Sequence, residues 1–259
     1  MPTSPSVPRV LWSIARSLVT VRSPKPRGKD RVDHSEFGVI LSRLRGDAMQ
    51  QLPALDGALA HYVNEMESID PDQLTRNEAL AYWLNLYNAL ALRLAASAAR
   101  QGIETVLGLP GGFTAPAVSV AGESLSLNAI EHAKIRRFAD PRIHGGLVCG
   151  SASCPALRRE PFDGDVDNQL DEQMRLFLAR GALQPEPDHH RVVLSSIFSW
   201  FGGDFVHPRR MPTLLPAKRE MVLSALTPWL PESTAEWIAT ARPQVRFGSY
   251  DWRLGCAVD

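Results

Sequence analysis

Residues 75–99 read TRNEALAYWLNLYNALALRLAASAA, and this stretch decides how the rest of the chain must be arranged. Thr75 and Glu78 stand in the Thr-x-x-Glu order of a capping box, with Leu74 and Ala79 in staple positions on either side. From Ala79 onward, apolar side chains occupy nearly every face of the expected helix. A helix that is apolar all round must be surrounded by other elements, so this one is expected at the centre of the fold. Asn85 and Asn88 interrupt it. Buried amides require partners, so both are expected to brace a neighbouring loop or to line a pocket.

Upstream, residues 37–67 carry helical spacing of Leu41, Leu44, Met49, Leu52 and Leu55, continued by Tyr62, Val63 and Met66. A break near Pro53 predicts two helices or one kinked helix. Downstream, residues 118–120 and 123–127 alternate around Ala121-Gly122, which predicts a small β-hairpin. Helices are expected at 128–137, at 165–180 with an acidic start and Gly181 at its end, and at 217–230 and 231–241. Strands are expected at 192–194 and 245–250, and residues 198–205 form an aromatic knot punctuated by Gly202-Gly203. Helices outnumber strands and the order is mixed. The fold class is therefore α+β: a single helix-rich domain with a small, mostly antiparallel sheet.

Residues 22–33, RSPKPRGKDRVD, are charged and punctuated by Pro and Gly, so residues 1–35 read as a flexible tail and linker before one globular domain at 36–259. Within that tail, residues 10–21 are mostly apolar but are interrupted by Arg16 and are too short to span a bilayer. They are expected to dock loosely as a helix or to touch a membrane surface peripherally. No integral membrane span is expected elsewhere. Lys and Arg total 28 and Asp and Glu total 28, so no general attraction to nucleic acid is implied. Three cysteines in 259 residues do not make a disulfide scaffold. The chain reads as soluble and cytoplasmic, with the periplasm as the other compartment that fits.

The chemistry concentrates in residues 140–157, DPRIHGGLVCGSASCPAL, which hold His144, Cys149 and Cys154. They read as a buried strand over 143–149, a small-residue turn at 150–153, and a helix opening at Pro155 with Cys154 at its N-cap. Unpaired backbone N–H groups and the positive end of a helix dipole favour a thiolate there. Cys154 is thus the preferred nucleophile and Cys149 the alternative thiol. The two could also form a redox pair. His144 is the natural base, although five strand residues would separate it from Cys149 by roughly 16 Å unless the turn folds back. His132 is the alternative base, and Glu131 could orient a histidine. Glu131 and His132 point roughly 100° apart on a helix, so they would not both face one site. Substrate-binding candidates are Asn85, Asn88, Arg136, Ser151 and Ser153. Arg136, Arg142, Arg158 and Arg159 flank the segment and could depress a thiol pKa or hold a carboxylate. The backbone N–H groups of residues 150–154 are expected to face an oxyanion. No paired Cys-x2-Cys or His-x3-His spacing occurs, so no metal is expected, and no cofactor is expected either.

Six ordered blocks carry a family resemblance: AYWLNLYNAL (81–90), LSLNAIEHAKIR (125–136), DPRIHGGLVCGSASCPAL (140–157), LDEQMRLFL (170–178), IFSWFGGDF (197–205) and YDWRL (250–254). Across about residues 75–255 the chain resembles the domain-of-unknown-function 547 family, found in bacteria and, fused to other segments, in plants. The resemblance implies a papain-like cysteine-protease fold with a Cys-His-Glu site. By motif the cysteine falls on Cys154 or Cys149, the histidine on His144 or His132, and the glutamate on Glu131. Gly145-Gly146 departs from the bulkier apolar residues usual at that point. The function expected is a thiol-dependent hydrolase or transferase acting on a peptide-like or glutathione-like small molecule. The alternatives are a non-enzymatic binding or scaffold domain with a vestigial cysteine site, and a Cys149/Cys154 redox sensor.

Overall fold

The computed structural model describes residues 7–46 and 48–259, and residues 7–11 and 13 by their backbone alone. Residues 1–6 of the expected tail lie outside the described residues. Helices α1 (Val7–Thr20), α2 (Ser35–Ser42) and α3 (Leu52–Glu67) precede the long helix α4 (Arg76–Arg100). The Thr75 hydroxyl accepts the Glu78 N–H at 3.3 Å, so the N-cap half of the expected box forms, while the Thr75 N–H goes to the Asp30 carbonyl and the Glu78 carboxylate to the Val32 N–H. The helix is buried along most of its length, with α3 packed against it.

The expected hairpin is present as β1 (Val118–Val120) and β2 (Glu123–Leu125), paired antiparallel. Ala121 and Gly122 both take positive φ, 47° and 77°, as a two-residue turn of the mirror type demands. Next comes α5 (Leu127–Ala129), capped by the Ser126 hydroxyl and continued by a π-helical turn over Ile130–Lys134 and a 3-10 turn over Ile135–Phe138. Then follow α6 (Ile143–Gly146), α7 (Val166–Phe177), β3 (Leu183–Glu186) and β4 (Arg191–Leu194). The aromatic knot forms α8 (Ile197–Trp200) and α9 (Gly202–Val206), and the chain closes through α10 (Arg219–Leu226), α11 (Glu232–Ala241) and β5 (Gln244–Phe247). In the second sheet β3 is antiparallel to β4, while β4 and β5 are parallel. The α+β class holds, helix-rich with two small sheets.

Two apolar cores result. One surrounds α4 and includes Val166 and Leu170 of α7. The other lies under the second sheet and includes Met174 and Phe177 from the far end of the same helix. Helix α7 therefore bridges them.

Two local expectations are corrected. Residues 143–149 are not a strand: Ile143–Gly146 make one helical turn and the chain then runs as a loop to Gly150. Gly145 and Gly146 explain this, because they let the turn press directly on its neighbours. A Cβ on Gly146 would stand 2.9 Å from the Phe162 ring, and one on Gly145 would stand 3.3 Å from the Met174 Cα. Nor does a helix open at Pro155. Residues 151–157 instead run beside the segment 250–259, with Ala152 N–H on the Arg253 carbonyl at 2.9 Å and Leu157 N–H on the Ala257 carbonyl at 2.8 Å. Gly255 and Asp259 donate back to Gly150 and Leu157.

The linker expected at 22–33, with the end of α1 before it, is tied along the domain at intervals. Arg137 donates to the Leu18 carbonyl at 2.8 Å, Lys134 to the Arg22 carbonyl at 2.8 Å, and Asp30 N–H to Gln73 at 3.2 Å. Among the described residues no helix is long and apolar enough to cross a membrane. Substituting Gly146 by Ala forces a methyl group against Phe162 and Leu170. Overpacking of this kind should lower the unfolding free energy by about 1–3 kcal/mol, and urea unfolding of the variant beside its parent measures it.

Candidate functional site

Cys149 and Cys154 are joined as a disulfide. Both are half-buried, in a loop that the segment 250–259 holds from one side. Gly150 turns this loop with a φ of 79°, and its α-carbon faces Ala95 and Val106 closely enough that a side chain there would crowd them.

Hydrogen-bond donors gather at the Cys154 sulfur. The Cys149 backbone N–H reaches it at 3.0 Å and the Tyr250 hydroxyl at 3.3 Å. A disulfide sulfur has no proton to give, so the hydroxyl is the donor. Tyr250 is also 3.3 Å from the Cys149 sulfur, and it accepts from the Ser151 hydroxyl at 2.8 Å. Burial pushes the Tyr250 phenol up to about 12, so it keeps its proton at neutral pH. Trp252 at 4.5 Å and Trp200 at 4.9 Å, measured between ring centroids, fix the ring.

Glu131, on the π-helical turn, accepts from the Tyr87 hydroxyl of α4 at 3.1 Å. Its carboxylate is 3.7 Å from His132 Nδ1, so the two adjacent side chains do meet at one site, which corrects the expectation drawn from regular helical spacing. Burial pushes Glu131 up to about 7, against the pull of Arg136 and Tyr87. Burial also holds His132 well below the imidazole range, and the Arg136 charge adds to this. Arg136 Nη1 lies 3.4 Å from His132 Nδ1. A guanidinium can only donate, so Nδ1 is the acceptor and the ring proton sits on Nε2.

His144 is committed elsewhere. Its Nε2 donates to Asp204 Oδ2 at 2.9 Å, and its ring stacks on Phe201 at 4.2 Å. Arg136 clasps the same carboxylate through Nε at 2.8 Å and Nη2 at 2.9 Å, and Nη2 also reaches the Thr213 carbonyl. Burial holds His144 below its ordinary pKa despite Asp204. Among the described residues, neither histidine shares a hydrogen bond with a sulfur.

The other expected binding residues already have partners within the fold. Asn85 donates to the Phe162 carbonyl at 2.8 Å and accepts its N–H at 2.9 Å. Asn88 donates to the Gly146 carbonyl and accepts the Val148 N–H, both at 3.0 Å. Ser153 accepts the Asp251 N–H. Arg142 is held by Asp140, Asp167 and Asp171, Arg158 by Glu172 and the Gln169 carbonyl, and Arg159 by the Asp259 carbonyl. The amides of Ala152, Ser153 and Cys154, expected to face an oxyanion, are taken by the carbonyls of Arg253, Asp251 and Ser151.

Tyr250, Tyr87 and Asp204 were not among the expected site residues. The sequence marks two of them only by position: Tyr250 opens the block YDWRL, and Asp204 stands just after two glycines in the apolar block IFSWFGGDF. An acid in such a setting requires a buried partner.

Residues 71–178 match the family model described as "Protein of unknown function, DUF547". The matched segment holds Glu131, His132, His144, Cys149 and Cys154, while Asp204 and Tyr250 lie beyond it. No curated protein and no solved structure matches the chain.

Two outcomes follow from the buried charges. Asp204→Ala leaves Arg136 buried without its counter-charge, which should lower stability by about 3–5 kcal/mol in denaturant titration. Glu131 titrates at 4.5 when unfolded and about 7 when folded. Between those values the folded chain holds a proton that the unfolded chain has lost, so this group makes stability fall as pH rises. Glu131→Gln removes that slope. Its urea midpoint should therefore climb relative to the parent from pH 4.5 to about 7 and then level off. A pH-independent difference would refute the raised pKa.

Proposed function

We propose that the chain is a thiol-dependent hydrolase or transferase acting on a peptide-like or glutathione-like small molecule, with Cys154 as nucleophile and the Cys149–Cys154 disulfide as its oxidised form. The gathering of donors at the Cys154 sulfur carries this reading. Once the sulfur is a thiolate, each of those hydrogen bonds becomes charge-assisted and stronger, which lowers the thiol pKa.

Activation is ordinary thiol–disulfide exchange. An external thiolate attacks the Cys149 sulfur, the S–S bond breaks, and Cys154 leaves with the bonding pair as a thiolate. A second thiol resolves the mixed disulfide at Cys149, so two electrons enter the protein and the reductant departs as a disulfide. Cys154 then attacks an acyl carbon and expels the leaving group, which takes up a proton. Water or an acceptor amine or thiol attacks the resulting thioester, carries off the acyl group and returns Cys154 as a thiolate. A glutathione-like peptide suits both steps, offering a thiol for exchange and an amide for acyl transfer.

Glu131 and His132 are the better-supported acid and base. Glu131 changes charge close to neutral pH, which is where a proton-transfer group works best. Its neighbour His132 is uncharged, and its one lone pair, on Nδ1, takes a proton in this reading only when the Arg136 contact opens. His144, bound to Asp204, serves the framework in this reading. The disulfide itself favours a second reading, a redox sensor in which opening the Cys149–Cys154 bond rearranges the loop and no acyl transfer follows.

The deciding experiment is iodoacetamide labelling of the reduced protein across pH, resolved by peptide mass spectrometry. Cys154 should label with an apparent pKa well below the ordinary value of about 8.5, and Tyr250→Phe should move it upward. Glu131→Gln and His132→Ala should abolish turnover of an activated amide while leaving the labelling pKa low. If Cys154 labels no faster than a small thiol, catalysis is ruled out and a binding domain with a vestigial cysteine site replaces it. Fast labelling without turnover, combined with re-formation of the disulfide under mild oxidant, selects the sensor.

A further inference from the structure

Helix α1 packs one side on the domain and leaves two apolar residues on the other. Ile14 and Ser17 face inward, 5% and 8% exposed, where the helix lies against α5 and the π-helical turn. Arg137, donating to the Leu18 carbonyl, holds the last turn in place. On the opposite side Trp12 is 70% exposed and Val19 86%. Positions seven apart share one face of a helix, and Arg16 stands between them on the same side. Single exposed apolar residues need no explanation. Here a tryptophan and a valine share one face with an exposed arginine.

The charge around them is one-sided. The chain as a whole balances 28 basic against 28 acidic residues, yet Arg9, Arg16, Arg22, Lys25, Arg27 and Lys29 all precede the first acidic residue, Asp30. Arg16, Lys25, Arg27 and Lys29 are exposed. Arg22 contributes least to an outside partner, because Glu123 and the Ala121 carbonyl hold it. The segment 22–30 follows the helix directly and is tied along the domain through Asp72 and Gln73.

We infer that the outer face of α1, with the basic segment that follows it, docks on an anionic lipid surface. Trp12 and Val19 enter the boundary between headgroups and acyl chains, with the helix axis in the membrane plane. The exposed Lys and Arg residues meet the acidic headgroups, an attraction confined to about a Debye length, roughly 8 Å at physiological salt. An apolar pair beside a cationic run matches both layers of such a surface. It would hold the domain at a membrane without any spanning segment among the described residues.

The test is co-sedimentation of the full chain with vesicles of phosphatidylglycerol and phosphatidylcholine in equal parts, beside vesicles of phosphatidylcholine alone. The chain should sediment with the anionic vesicles only, and less as salt is raised. Both apolar positions are exposed, so Trp12→Ala/Val19→Ser should keep the parent's unfolding midpoint while partitioning at least about tenfold more weakly. Arg16→Glu should weaken binding to anionic vesicles and leave the midpoint unchanged. The inference fails if the parent does not bind anionic vesicles, or if the double variant binds as well as the parent. It also fails if light scattering shows a dimer that the double variant dissolves, since a second copy would then cover the face.

Discussion

The carboxylate of Asp204 is the point on which the two halves of the molecule meet. It is fully buried, and four donors converge on it. Arg136 Nε and His144 Nε2 share Oδ2, while Arg136 Nη2 and the Thr213 N–H share Oδ1. These donors come from the helix after the hairpin, from α6, and from the loop beyond α9. Removing two charges from water is costly, and mutual attraction compensates only when the geometry is close and every remaining lone pair is filled. Both conditions are met here. The pair fixes α9, which belongs to the second core, against helices of the first.

Helix α4 sets the loops in a comparable way. Asn85 and Asn88, three residues apart, each offer one donor and one acceptor to a passing backbone. The backbone at Phe162 and at Gly146–Val148 thereby finds the partners that a sheet would otherwise supply. A buried loop is tolerable only when its polar groups are satisfied, and two amides achieve this for the segments on either side of the cysteines. Tyr87, one residue before Asn88, extends the same helix to Glu131.

Where local signals were strong, the sequence was legible. The cap at Thr75, the all-round apolar helix behind it, the Ala121-Gly122 turn and the stop at Gly181 each have a local physical cause, and each was placed within a few residues. Residues 143–149 were misread because a short apolar run looks alike in a strand and in a buried turn. What separates the two is the close contact of Gly145 and Gly146 with α7 and the loop at Phe162, which no periodicity reveals. The cysteine pair and Glu131 could be singled out in the sequence. The role of Tyr250 could not be read there, whatever its place in the block YDWRL, because it meets Cys149 across a separation of 101 residues. Asp204 was hidden in the same way, 68 residues from Arg136.

The pairing of residues 150–157 with 250–259 has a consequence for biosynthesis. A ribosome makes the cysteine loop roughly a hundred residues before the segment that flanks it and supplies Tyr250. The parallel partner of β4 arrives late as well, since β5 follows it by some fifty residues. The α4 core can form while synthesis continues. The cysteine loop cannot reach its finished shape until residues 250–259 have emerged, so a stalled or truncated chain would present a folded-looking first half with its two thiols still unframed.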